Sequence, residues 1–365
     1  MAFKYLIMIV AALMASVSYA GDLSASAAKP GNFHINADWA YGCDNSHYCS
    51  AVALLEDGLD WDTWISVMIE REAGRDKLAL LSIQLPQDLQ QKYGLRPVLT
   101  LTTNKGGSLV VKRDEKAGAI WRAQLDATIA SQLAAASSIR LGDSDDGNDA
   151  STSLMGVTAA LKHFDAVQGR ADGVTALVDL GKKPANAVPN APPVPTIIQP
   201  KHSSLQPFQP SAEQWAEVID QTDCEAGSEF SGPGEPKSHR LDVATTLLEI
   251  PCGHGAYNRS TIYFTAKKVG SGSQARMEFA PLVVEGNEDW KDGADRNVIL
   301  TNSEYVADSG TLTEYSPSRG IGDCGGSQRL AWDGQKFRII ATHVMKECRG
   351  SMDWIRLWTA NTKGR

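Results

Sequence analysis

Half of the chain's 16 prolines fall between Lys182 and Pro210, with Pro192-Pro193-Val194-Pro195 at the centre. Proline fixes φ and withholds a backbone N–H, so such a run suits neither a helix interior nor a central strand. It reads as a stiff, extended spacer. The chain on either side must then bury its apolar residues separately. We expect an N-terminal β-rich domain over 33–181, the linker over 182–210, and a C-terminal β-rich domain over 211–365. A length of 365 residues suits two domains of ordinary size.

The six cysteines follow that division. Residues 1–20 read as a secretory leader. Lys4 supplies the positive start, Tyr5 to Ala15 the apolar run, and Ser18-Tyr19-Ala20 a small-x-small cleavage site. That run is too short to span a bilayer, and nothing later is apolar enough to do so. A periplasmic or secreted location follows, and there cysteines pair. Cys43 and Cys49 stand alone before the linker, so they pair with each other or not at all. Among Cys224, Cys252, Cys324 and Cys348, near-neighbour pairing gives Cys224–Cys252 and Cys324–Cys348. A crossed Cys252–Cys324 bridge is the competing arrangement. The spacings lack the short pairs that tetrahedral zinc sites use.

The expected fold class is mainly β (α+β), with a few short helices. Runs rich in β-branched and aromatic residues, broken by Gly, Pro, Asn and Asp, predict strands. In the N-terminal half these are Asp38 to Cys43, Cys49 to Leu55, Trp61 to Glu70, Leu78 to Leu85, Pro97 to Thr103, Leu109 to Arg113 and Ala119 to Gln124. In the other half they are Ala244 to Ile250, Ser260 to Ala266, Arg276 to Val284, Val298 to Thr301 and Thr311 to Tyr315. Helices are expected at Asp126 to Ala136, at Leu154 to Gln168 and at Ser211 to Thr222. The second has Ser151 to Ser153 as capping oxygens and Gly169 as its stop. The third has Ser211 and Gln214 as a capping box. The aromatic tail, Trp354 to Trp358, should dock. The loop with Asp143, Asp145, Asp146 and Asp149 fails the helix-loop-helix calcium pattern, because Gly147 falls one place early and the final glutamate is missing. It reads as a solvated turn. The seven histidines are scattered, so neither a metal nor a cofactor is expected.

One stretch concentrates special chemistry: Arg319-Gly320-Ile321-Gly322-Asp323-Cys324-Gly325-Gly326. Its glycines make a tight, irregular loop in which backbone approaches backbone or a ligand. Arg319 and Asp323 stand four apart, able to pair or to meet a partner. Asp333-Gly334, between Trp332 and Phe337, predicts a hairpin of Gln328 to Trp332 and Lys336 to His343. Gly-Asp-Cys-Gly-Gly also matches the nucleophile loop of chymotrypsin-like cysteine proteases, with His254 or His343 as base. The plainer reading makes Cys324 half of a disulfide.

With these pieces in order, the chain resembles the secreted bacterial family catalogued as domain of unknown function 1176. Trp39, Cys43-Asp44-Asn45 and Cys49-Ser50-Ala51 carry the resemblance near the start, with Gln168-Gly169-Arg170 and the proline linker after them. Further on it rests on Pro251-Cys252-Gly253, Gly255-Ala256-Tyr257-Asn258, Arg319 to Gly325, Trp332-Asp333-Gly334, Phe337, Cys348-Arg349-Gly350, Trp354 and Trp358. The N-terminal half is also similar to the invasion-associated locus B proteins through Trp39, Cys43 and Cys49. The resemblance implies a secreted or periplasmic protein and brings no catalytic residues with it.

The functional expectation is a non-enzymatic, extracytoplasmic protein that binds an unknown protein or envelope component. Its binding residues would be Arg319, Asp323, Trp332, Tyr257 and Asn258. A cysteine hydrolase using Cys324 is the first alternative. An acidic inhibitor of a basic enzyme is the second, since a net charge of -8 disfavours nucleic acid and suits basic protein partners.

Overall fold

In Ser66–Arg71, Val67 and Ile69 are buried while Ser66, Met68 and Glu70 turn the other way. Successive strand residues point to opposite faces, so this alternation builds one apolar face. A computed structural model describes residues 29–364, apart from 58–59, 142–149, 202, 204, 223, 225–233, 272–274 and 286–297. The expected leader, the acidic loop at 142–149 and most of the loop from Glu225 lie outside the described residues.

Ten strands of the first half form one antiparallel sheet. They are β1 (Phe33–Asn36), β2 (Trp39–Cys43), β3 (Cys49–Ala53), β4 (Ser66–Arg71), β5 (Ala79–Gln84), β6 (Val98–Thr103), β7 (Ser108–Arg113), β8 (Ile120–Leu125), β9 (Ser138–Leu141) and β10 (Ser151–Ser153). Their order is β1-β2-β3-β4-β5-β8-β7-β6-β9-β10. The sheet curls until β10 meets the approach to β4. There the Ile65 N–H donates to Ser151 O at 3.0 Å and the Trp64 indole to Thr152 Oγ1 at 3.0 Å. Helix α1 (Gln87–Tyr93) follows β5. Helices α2 (Ala127–Ala135) and α3 (Val157–Val167) pack Ala130, Leu133, Leu161 and Phe164 into the same core as Val67, Ile69 and Trp121. Asp126 caps α2 by accepting the Ile129 N–H. Ser151 to Ser153 do not cap α3; they form β10, and Gly156 takes the cap position at φ 108°. Backbone pairing with β9 claims those serines first.

A buried ionic network closes the end of α3. The Asp165 carboxylate accepts the Leu177, Val178 and Asp179 N–H groups and lies 3.5 Å from Arg71 Nη1. Arg170 is fully buried beside it. Burial, then the Arg170 charge, pull the Arg71 pKa down to about 10 against the pull of Asp165. Gln168 Nε2 donates to His47 O and to Arg71 O, tying helix, β4 and the Cys43–Cys49 loop together.

The proline-rich segment carries β11 (Thr196–Gln199), and helix α4 (Ala212–Asp220) follows with its Ser211–Gln214 capping box formed. Next come β12 (Lys237–Arg240), β13 (Thr245–His254), β14 (Arg259–Val269), β15 (Arg276–Pro281) and β16 (Ile299–Thr301), all in one sheet. The last group is β17 (Glu304–Val306), β18 (Thr311–Pro317), β19 (Gly325–Trp332), β20 (Phe337–Met345) and β21 (Ile355–Thr359), consecutive in a second sheet. Leu247 and Tyr263 of the first sheet meet Leu312, Leu330 and Phe337 of the second in a common core. Helix α4 covers the other face of β13 and β14 through Val218, Trp215 and Ile219.

The first strands of the N-terminal sheet also touch the last strands of the C-terminal half. Ile355 and Leu357 of β21, with Met345 and Cys324, pack on Ala40, Val52 and Leu54. The final strand, β22 (Asn361–Gly364), pairs in parallel with β11. The aromatic tail is thus held in place. The fold is mainly β. Three disulfides link Cys43–Cys49, Cys224–Cys252 and Cys324–Cys348.

Candidate functional site

The loop from Ser318 to Cys324 joins β18 to β19 and is pinned from below. Gly322 sits at φ 77°, and a side chain there would meet Tyr315 Oη at 2.3 Å. Gly325, at φ 138°, brings its α-carbon against the Ser316 carbonyl, where a Cβ would stand 2.2 Å away. These two positions explain why the stretch needs glycine. Tyr315 Oη donates to Gly322 O at 3.3 Å, and its ring stacks on Trp354 at 5.1 Å. The Cys324–Cys348 bridge fixes the loop's far end to the segment after β20.

Within this frame Arg319 and Asp323 pair through both carboxylate oxygens, with Nε 2.6 Å from Oδ1 and Nη2 bonded to Oδ2. Asp323 is fully buried and also accepts the Gly350 N–H at 2.8 Å. Burial pushes the Asp323 carboxyl up. The hydrogen bonds from Arg319 and Gly350, with the Arg319 charge, outweigh it and hold the pKa below the usual carboxylate value. The Arg319 side chain stays 45% exposed.

The turn between β13 and β14 supports the loop from the side. Tyr257 lays its ring against Gly320, where a Cβ would stand 3.2 Å from Cδ1, and its hydroxyl donates to Ser318 O at 3.0 Å. Asn258 Nδ2 donates to Pro317 O at 3.2 Å and receives Asn302 Nδ2 at 2.9 Å on its own Oδ1. Arg319, Asp323, Tyr257 and Asn258 therefore meet at one place. Tyr257 and Ile321 are 47% and 52% exposed there.

Trp332 does not share this surface. It lies seven residues further along β19, about 23 Å away at ordinary strand rise. It is 2% exposed, sets its ring at a tilt to Phe337 with centroids 5.4 Å apart, and donates its indole N–H to Asp242 Oδ2 at 2.8 Å. Its role is packing between the two C-terminal sheets. Cys324 is likewise no thiol: it is buried and bridged to Cys348, which removes the nucleophile that the hydrolase reading requires. His254 is the last residue of β13 and partly buried, and His343 is half-buried on β20 with its pKa lowered, first by burial and then by Arg356 and Arg329. Among the described residues, no group of three or more His, Cys, Asp or Glu side chains is placed to hold a metal.

A second feature escapes sequence reasoning. A cleft of about 740 Å³ opens between the Cys43–Cys49 loop, α3 and Pro192 to Pro195. Its lining residues were legible only as a turn, a helix face and a spacer. Nothing in the sequence says that the proline run folds back over the first half.

Fold and site together define a mainly β, disulfide-stapled protein with an arginine locked onto a buried aspartate in a glycine-rich loop. The chain belongs to the family described as protein of unknown function (DUF1176), whose model matches residues 33–361. It is similar to the uncharacterized protein YpfG of Escherichia coli (strain K12), with 25% identity over 338 residues, 88% of this chain and 91% of that protein. The structure has a weak likeness to invasion associated protein B from Bartonella henselae, at 15% identity and a TM-score of 0.29, over 38% of this chain and 99% of that one. No helix among the described residues is long and apolar enough to cross a membrane.

Proposed function

We propose that this protein works outside the cytoplasm as a non-enzymatic binding protein, and that a protein or envelope component docks on the surface around the glycine loop. In this reading two β-rich domains, 33–181 and 211–365, are exported by the leader and joined by the proline linker. Three disulfides suit an oxidising compartment.

One observation carries the reading. Arg319 is fixed on its inner edge by buried Asp323 and open on its outer edge, beside exposed Tyr257 and Ile321. Arginine and tyrosine are enriched at the energetic centres of interfaces. Side chains already held in place lose little freedom on binding, so less of the contact energy is spent on ordering them.

Photo-crosslinking tests it. A photoreactive amino acid replaces Ile321 in the exported protein, and a control replaces Leu95, which is strongly exposed in the other half of the chain. Discrete adducts from position 321 that vanish with Tyr257→Ala support the proposal. Identical adducts from both positions, or none from 321, overturn it.

A further inference from the structure

The cleft beside the Cys43–Cys49 loop lies within the range of small-molecule sites, roughly 300–1,000 Å³. One wall is Pro192, Pro193, Val194 and Pro195. Prolines lack rotatable backbone φ and present flat, apolar rings. Both ends of this wall are tied down. The Asn361 N–H donates to Pro195 O at 2.7 Å, next to the β11–β22 pair. At the other end Pro189 packs so close to Gly169 that a Cβ there would be 2.8 Å from Cδ. The opposite wall is Val167 and His163 of α3 with Asp44, Asn45 and His47 of the stapled loop.

Several of these polar groups are already engaged. The Asp44 carboxylate accepts the Ser46 and Tyr48 N–H groups, the Ser46 hydroxyl and Arg356 Nε at 2.6 Å. Its charge is therefore balanced within the wall. Asn45 exchanges two hydrogen bonds with the Thr359 backbone. The imidazole of His163, 4.7 Å from His34 and 5.4 Å from Tyr41, faces the cleft from α3. Burial, then the His34 charge, lower its pKa, so at neutral pH it is a hydrogen-bonding ring rather than a cation. Lys29, exposed at the rim, makes no ion pair among the described residues. The cleft thus combines apolar rings, uncharged imidazole and one uncompensated positive charge.

We infer that this cleft binds a small organic monoanion with a flat apolar body, an aryl carboxylate in chemical class, its ring between the proline wall and α3 and its carboxylate toward Lys29. This site is separate from the glycine-loop surface, and either can fail without the other.

Titration calorimetry of the full-length mature protein with 2-naphthoate tests it, with 2-naphthalenemethanol as the uncharged control. Saturable one-site binding is expected, tighter for the carboxylate, abolished by Val167→Trp and weakened about threefold by Lys29→Gln, the scale of an exposed ion pair. In the unsubstituted protein, 2-naphthoate should shift the ring resonances of His163 and His47 and leave His254 unmoved. Absence of saturable binding, or shifts spread evenly over all histidines, overturns the site. Equal affinity for the alcohol, with Lys29→Gln indifferent, overturns the monoanion class. Binding unchanged in a folded Val167→Trp protein overturns the location.

Discussion

Arg319 closes on Asp323 from the solvent side, Nε to Oδ1 at 2.6 Å, while the Gly350 N–H reaches the same buried carboxylate from within at 2.8 Å. The aspartate is therefore the joint between the loop before β19 and the segment after β20. Asp323→Ala deprives a buried N–H of its acceptor, a loss on the order of 1–3 kcal/mol. The pH dependence has a definite sign. The folded-state pKa is depressed, so the stabilisation is complete above the unfolded value of about 3.9 and fades as pH falls through the lower folded value. The Tm gap between the wild type and Asp323→Asn should be constant from neutral pH down to that value and then narrow. A gap that widens in acid would contradict the pairing.

Asp165 is the most consequential charge in the N-terminal half. It faces two buried guanidinium groups and accepts three backbone N–H groups. Removing one partner of a buried ionic cluster typically costs about 3–5 kcal/mol, because the remaining charges are left uncompensated. Asp165→Ala should lower chemical-denaturation stability by that order, with Asp165→Asn in between, since an amide oxygen still accepts N–H bonds. An exposed acid in the turn between β4 and β5, Asp76→Ala, should change little more than its surface pair with Arg75 contributes.

Much of this fold was legible because periodicity and turn chemistry agree locally. The Val67–Ile69 alternation, the Ser211 capping box and the Asp333-Gly334 turn each sit where their residues require. The failures share a cause in distant partners. Trp61 to Thr63 form a single 3₁₀ turn before β4, and Gln87–Tyr93 form α1 after Pro86, a short helix with no apolar periodicity to announce it. Trp332 reads as an aromatic beside a functional loop, yet its environment is set by Asp242 and Phe337 across the core. At the loop itself, spacing brought Arg319 and Asp323 within reach, but only the fold decides that Tyr257 covers Gly320. The cleft depends on β22 pairing with β11, a contact between segments far apart in sequence.

The Cys324–Cys348 bridge lies next to both ends of the Asp323 joint, since Asp323 adjoins Cys324 and Gly350 follows Cys348 by two residues. A bridge closing a loop of this length contributes about 3 kcal/mol in the chain-entropy account. Replacing both cysteines by alanine should cost a comparable amount and should also loosen Asp323. The double-mutant cycle with Asp323→Asn should then be non-additive by about 0.5–3 kcal/mol. Additive losses would mean that bridge and carboxylate act independently. Alkylation of the denatured, unreduced protein should add no mass.

Two carboxyls between the N-terminal sheet and β21 carry the opposite sign. Glu70 lies on the outer face of β4, bonded to the Tyr48 hydroxyl, and the Tyr48 ring lies under the Arg356 guanidinium at 4.0 Å. Burial raises the Glu70 pKa; Arg122 opposes that, and the Asp353 charge adds to it. Burial alone raises Asp353. A carboxyl whose folded pKa exceeds its unfolded value opposes folding while ionised, so its penalty is full above the folded pKa and relieved as pH falls through it. Neutralising both, Glu70→Gln with Asp353→Asn, should raise Tm at pH values above the ordinary carboxylate range and lose that advantage in mild acid. The same acidification should tighten the contact of β21 with β2 and β3, read as higher amide protection factors at Ile355 and Leu357, each rate being taken relative to the unstructured-chain rate at the same pH. Protection factors that fall in mild acid would show that ionised Glu70 holds this contact together.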